Sequence, residues 1–102
     1  MGEVEQYLID TYDIDNEHQV RKSITCKDGF FISVQGGTKF HYCNPRMKIN
    51  SYEEVELGFP SEEDELIMEY AEDKDRPTET VYPWVPIKIV EQLIQKHGGI
   101  EK

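Results

Sequence analysis

The residues in this sequence best suited to chemistry are His41 and Cys43, two apart in Lys39-Phe40-His41-Tyr42-Cys43, with Cys26 and His18 more distant. Imidazole and thiolate are zinc ligands, but zinc sites draw four ligands, or three and a water, from pairs of close-spaced couples. One such couple is present. A thiol nucleophile needs an adjacent base and a third group to orient that base, and no carboxylate stands ready beside His41 and Cys43. Many acids are available, yet none is marked out as a catalytic pair in an apolar pocket. Neither Gly36-Gly37 nor Gly98-Gly99 sits between a strand and a helix N-terminus as a phosphate loop does. No catalytic, cofactor-binding or metal-ligating residue is therefore assigned, and a non-enzymatic protein is expected. A small metal- or thiol-dependent enzyme is kept as a further alternative.

The elements that position these groups follow from hydrophobic periodicity. Val4, Tyr7, Leu8 and Tyr12 recur at helical spacing and predict an N-terminal helix over residues 1–12. From residue 20 the period becomes two. Ile24 and Cys26 alternate with Ser23 and Thr25, Phe30, Ile32 and Val34 with Phe31 and Ser33, and Phe40 and Tyr42 with Lys39, His41 and Cys43. A fourth run, Val55, Leu57 and Phe59 against Glu54 and Glu56, completes a β-meander over 20–59.

Loop length decides whether the apolar sets share a face. A three-residue loop Lys27-Asp28-Gly29 opposes Cys26 to Phe30 and Ile24 to Ile32; a loop Gln35-Gly36-Gly37 opposes Val34 to Thr38 and Ile32 to Phe40. Both end in glycine, which suits a turn closed by a left-handed residue. This register puts Cys26 on the buried face and His41 and Cys43 on the other, so the three cannot share one metal ion.

After Pro60, Ser61 reads as an N-cap with Asp64 at the capping-box position, and Leu66, Ile67, Tyr70 and Ala71 as the buried stripe of an acidic helix over 61–72. Residues 73–85 read as a surface connection with a short extended piece at Thr78–Tyr82. Pro86 opens a C-terminal helix over 86–98, with Val90, Leu93, Ile94 and His97 inward and Gly98-Gly99-Ile100 as its left-handed cap. One domain spans residues 1–102. The fold class expected is α+β, a four-stranded, mainly antiparallel sheet with two to three helices packed on one face.

The 102 residues carry a net charge of −10. Residues 53–79 hold twelve acids against two bases, so the excess resides there while residues 18–48 are mildly basic. Such a run is most simply a solvated face. It also suits docking on a basic groove, as a nucleic-acid mimic would, whereas direct nucleic-acid binding is opposed by phosphate repulsion. The candidate interaction surface comprises Glu54, Glu56, Glu62, Glu65, Glu69 and Glu72 with Phe31 and His41 on the outer sheet face. Tyr82 and Trp84 are further aromatic candidates, with Trp84 expected to fold onto the core. No apolar run is long enough to span a bilayer, and Met1-Gly2-Glu3-Val4-Glu5 lacks the basic start and apolar stretch of a signal peptide. A soluble cytoplasmic protein with reduced thiols is expected.

Three stretches carry a resemblance: Gly36-Gly37-Thr38-Lys39-Phe40-His41-Tyr42-Cys43-Asn44-Pro45-Arg46, Val55-Glu56-Leu57-Gly58-Phe59-Pro60-Ser61, and Thr78-Glu79-Thr80-Val81-Tyr82 running on through Val85-Pro86 to His97-Gly98-Gly99. Together they resemble small uncharacterised proteins of phages, prophages and other mobile elements of Gram-positive bacteria, over roughly residues 29 to 100. The resemblance implies a mobile-element accessory protein in the cytoplasm of a bacterial host and carries no site residue with it. The function expected is protein–protein interaction with an unidentified protein partner, without cofactor, nucleic acid or membrane; pairing with a second copy through the outer sheet face is open. The alternative is an acidic nucleic-acid mimic that inhibits a host nuclease or defence system.

Overall fold

The structure, a computed structural model, describes residues 2–11, 21–36 and 54–101. In chain order these form helix α1 (Glu3–Asp10), strands β1 (Ile24–Thr25), β2 (Phe31–Gln35) and β3 (Glu54–Gly58), a single 3-10 turn (Met68–Tyr70), strand β4 (Val81–Pro86) and helix α2 (Ile87–Lys96). The strands make one antiparallel sheet in the order β1-β2-β3-β4, and the fold is α+β as expected.

The first hairpin has the predicted register, with Ile24 opposite Ile32. Its three-residue loop closes through Cys26 N–H to Phe30 O (2.7 Å) and Gly29 N–H to Cys26 O (3.0 Å). Gly29 takes φ 96°, a conformation that a side chain would strain. The Asp28 carboxylate accepts the Phe30 N–H at 2.9 Å and braces the turn.

The second predicted hairpin, with its strand at Thr38–Cys43, lies outside the described residues. Its expected partner position on β2 is nevertheless taken: Val34 faces Leu57 of β3, where Thr38 was expected. The fourth strand comes from the segment read as a connection. Prolines 83 and 86 argue against a strand in a sheet interior, but β4 is the last strand in the order, and an edge tolerates residues that cannot donate. Val55 faces Val85 and Leu57 faces Tyr82, so β4 carries one extra residue there. That bulge puts Trp84 at φ 50° and leaves it 46% exposed, against the expectation that it folds onto the core. Tyr82 is fully buried and donates its hydroxyl to Pro77 O at 2.6 Å.

The acidic helix predicted over 61–72 does not form. Ser61 leaves its expected cap role: its Oγ accepts Phe31 N–H (3.0 Å) and its N–H donates to Phe31 O (2.8 Å), prolonging the β2–β3 pairing. Asp64 bonds the N–H of Leu66 two residues on (3.0 Å), the local side-chain contact that competes with helix. Ile67 and Ala71 still reach the core from this irregular path. Phe59, expected beside Val55 and Leu57, lies beyond the end of β3 at φ 52°, and its side chain leaves the strand's alternation and stands 54% exposed.

The helices behave as their stripes require. Val4 and Leu8 of α1 and Val90, Leu93 and Ile94 of α2 join Ile24, Ile32, Val34, Val55 and Leu57 in one core, each such side chain worth about 1.5–3 kcal/mol of burial. The α1 N-terminus is capped from α2, where Glu91 accepts the N–H groups of Val4 (3.0 Å) and Glu5 (3.2 Å). This carboxylate satisfies orphan donors and complements the positive helix end. At the other end Arg21 donates to Leu8 O (3.0 Å) and Thr11 Oγ1 (2.7 Å), supplying the basic group that the last turn of α1 lacks. Pro86 sits at the N-cap of α2, and Gly98 and Gly99 close it at φ 93° and 87°.

Candidate functional site

Two places gather functional groups. The first is built around His97, which follows α2 and reads in the sequence as the end of its apolar stripe and a basic group at its negative end. The stripe is confirmed by burial, but the ring is also ionically engaged: Nδ1 lies 2.7 Å from Asp28 Oδ2 and Nε2 lies 2.9 Å from Asp64 Oδ2. Its face stacks on Phe30 with ring centroids 4.0 Å apart and planes 9° from parallel. Asp64 is 4% exposed and also accepts Lys96 Nζ at 3.1 Å, while Asp28 stands half in solvent on the hairpin turn.

The electrostatics follow from this arrangement. Burial is the largest single influence on His97 and pushes it down, but the hydrogen bonds and charges of Asp64 and Asp28 together outweigh it and leave it raised. For Asp64 burial is again the largest single influence and pushes upward, and the Leu66 N–H, His97 and Lys96 prevail to hold it below the usual carboxylate range. The Phe30 N–H, then His97, lower Asp28. A ring with both nitrogens committed to carboxylates has no lone pair to offer a substrate. The cluster ties together the first hairpin, the segment after β3 and the end of α2.

Cys26 is the cysteine among the described residues. It is buried under the sheet, and burial, with Asp28 and Glu3 nearby, pushes its thiol up to about 11. A thiol so protonated is a packing group rather than a nucleophile. His41 and Cys43, the couple singled out from sequence, lie outside the described residues, and no His, Cys, Asp and Glu group able to hold a metal occurs among the described ones.

The second place is the outer face of the sheet. Alternation sends Phe31 and Ser33 of β2, and Glu54 and Glu56 of β3, away from the core, whereas Gln35 is buried and bonded to the Arg21 backbone. Phe31, on the outer face to which alternation assigns it, is 46% exposed, and the Ser61 pairing brings the backbone of residues 59–61 alongside its own. Phe59 is thus the aromatic that sequence alternation missed; the signal available was Gly58-Phe59-Pro60, a break in the strand rather than its continuation. The predicted acidic surface is divided. Glu54 and Glu56 are half-buried on the outer face, opposite Pro86 and Gln35. Glu62 and Glu65 are exposed and, with Glu63, border an open depression beside Lys96 and His97. Glu69 lies on the 3-10 turn, and Glu72, also exposed, donates its N–H to Val81 O (3.0 Å).

No helix among the described residues is long and apolar enough to cross a membrane. No family model matches the chain, and neither does any curated protein or solved structure.

Proposed function

We propose that the chain is a non-enzymatic interaction module, an accessory protein of a mobile element working in the cytoplasm of a bacterial host, and that it docks a protein partner on the outer sheet face around Phe31 and Phe59. The observation that supports this most is the backbone at Phe59. A bulky residue in the left-handed region costs about 1–2 kcal/mol, and here that cost holds a large apolar side chain in water. Packing does not explain such a placement, and backbone strain of this kind collects at functional sites. Phe31, whose N–H bonds Ser61 two residues past Phe59, is exposed as well, and the exposed Glu62 one residue past Ser61 favours a partner with a basic rim.

The test uses Phe59→Gly and Phe31→Ser, singly and together, on tagged protein exposed to lysate of a Gram-positive host. Phe59→Gly relieves the strain, so the variant folds at least as well as the parent while its partner capture falls. Capture undiminished in the double variant overturns the reading.

A nucleic-acid mimic is the second reading, favoured by Glu62, Glu63 and Glu65 standing together at the depression. The even spacing of further carboxylates in that reading depended on a helix over 61–72, which is replaced by turns. Neutralising Glu62, Glu65 and Glu69 would abolish capture under the mimic reading and only weaken it under docking through Phe31 and Phe59.

A further inference from the structure

The last described residues turn back over the edge of β1 that faces away from β2. Lys27 N–H donates to Gly99 O (3.0 Å), Glu101 N–H to Thr25 O (2.8 Å), and Cys26 and Ile100 stand opposed as an antiparallel bridge. Asp28 N–H donates to His97 O (3.2 Å), so the strap over 97–101 is laced to both the strand and its turn. Glu3 of α1 holds the strap's far side, accepting Ile100 N–H (2.7 Å) and Gln95 Nε2 (2.9 Å).

At the head of the strap sits His97 between two carboxylates. Both contacts are satisfied only if both ring nitrogens carry protons. A neutral imidazole has one N–H, so its other nitrogen would aim a lone pair at a carboxylate oxygen less than 3 Å away. Loss of the proton therefore exchanges a charge-assisted hydrogen bond for a repulsive contact. The Asp28 arm is the one to yield: its carboxylate is half in solvent and retains its bond to Phe30 N–H, whereas Asp64 is enclosed.

We propose that His97 is a proton-operated latch: the charged ring clasped between Asp28 and Asp64 holds residues 97–101 on β1, and deprotonation frees the strap and bares the β1 edge. The charged groups facing it are Asp28 from the hairpin turn and Asp64 from the segment after β3, with Glu62, Glu63 and Glu65 around the same depression. Opposing them are Lys96 of α2, held on Asp64, and Lys27, whose Cβ lies 3.3 Å from where one on Gly98 would stand. Acids outnumber bases around the ring, so the latch opens on the alkaline side of the ordinary histidine range. An uncovered strand edge offers unpaired N–H and C=O groups on which a further strand can add.

Amide hydrogen exchange of the full chain tests this, comparing Lys27, Asp28 and Glu101 with Leu57 of β3. From about pH 6 to about pH 9, on either side of the histidine range, protection of the three strap amides, corrected for intrinsic exchange, falls by about tenfold or more while Leu57 keeps its own. His97→Gln, which cannot carry the charge, shows weak strap protection at both pH values and no step. Strap protection that stays constant in the wild type overturns the proposal. So does a fall shared equally by Leu57, because the cluster would then hold the whole fold rather than the strap. The wild-type comparison decides alone if the variant does not fold.

Discussion

Replacing Asp64 with alanine is the perturbation that separates a structural cluster from a decorative one. The Asp64 carboxylate is 4% exposed and has three partners: Leu66 N–H at 3.0 Å, Lys96 Nζ at 3.1 Å and His97 Nε2 at 2.9 Å. The Lys96 arm is nearly half in solvent and contributes at most about 1 kcal/mol. The Leu66 bond is worth about 1 kcal/mol and the bond to the charged ring about 1.5–3 kcal/mol. Truncation also leaves His97 Nε2 buried without its acceptor, but Asp28 still pairs the ring at Nδ1, so the roughly 3–5 kcal/mol cost of a fully broken buried pair is an upper bound. The expected loss is about 3–4 kcal/mol, a large share of the roughly 5–15 kcal/mol that holds a domain together. With a urea slope of about 1.5 kcal/mol per molar, the unfolding midpoint drops by about 2 M or more.

The pH dependence of the same experiment gives a second constraint. His97 is raised from its ordinary value of 6.5, so its stabilisation is fully present below that value and fades as pH climbs through the folded value. Asp64 and Asp28 are lowered from 3.8, so theirs is present above that value and fades as pH falls through the folded values. The cluster therefore stabilises most between about pH 4 and 6.5. The Asp64→Ala loss should be greatest in that window and smaller near pH 9, where the deprotonated ring gives Asp64 an uncharged hydrogen bond in place of a charge-assisted one. A loss below about 1 kcal/mol, or one identical at pH 5.5 and pH 9, would refute the reasoning.

Three further outcomes follow from particular contacts. Tyr82→Phe removes only the hydroxyl bonded to Pro77 O and should cost about 1 kcal/mol by urea unfolding, with the slope unchanged. Gly29→Ala meets no atom within 4 Å and carries backbone strain alone, about 1–2 kcal/mol; Gly98→Ala adds a 3.3 Å approach to Lys27 and should lower the melting temperature further. Leu93→Ala empties a fully buried position of α2 and should cost about 2–5 kcal/mol, read as a fall in the unfolding midpoint.

Local rules carried the sequence as far as contacts between near neighbours. Period-two alternation with Gly29 determined the first hairpin and its register, because loop length and face leave one solution. Period 3.6 determined both helices, and Gly98-Gly99 the end of the second. Even Phe31 on the outer face was legible, being the odd member of an even apolar run. What the tertiary structure decided was the fate of groups whose partners lie far along the chain. Ser61 and Asp64 spell a helix start in isolation, yet Ser61 is claimed by Phe31 and Asp64 by His97 and Lys96, and a buried charge satisfied at long range outweighs a cap worth about 1 kcal/mol. Prolines 83 and 86 hide a strand that only an edge position permits. The acidity read as the chain's leading feature remains, but the structure divides it between the outer sheet face and the depression beside α2. It also recruits one acid, Asp64, into the interior to hold a histidine that periodicity alone had filed with the apolar residues.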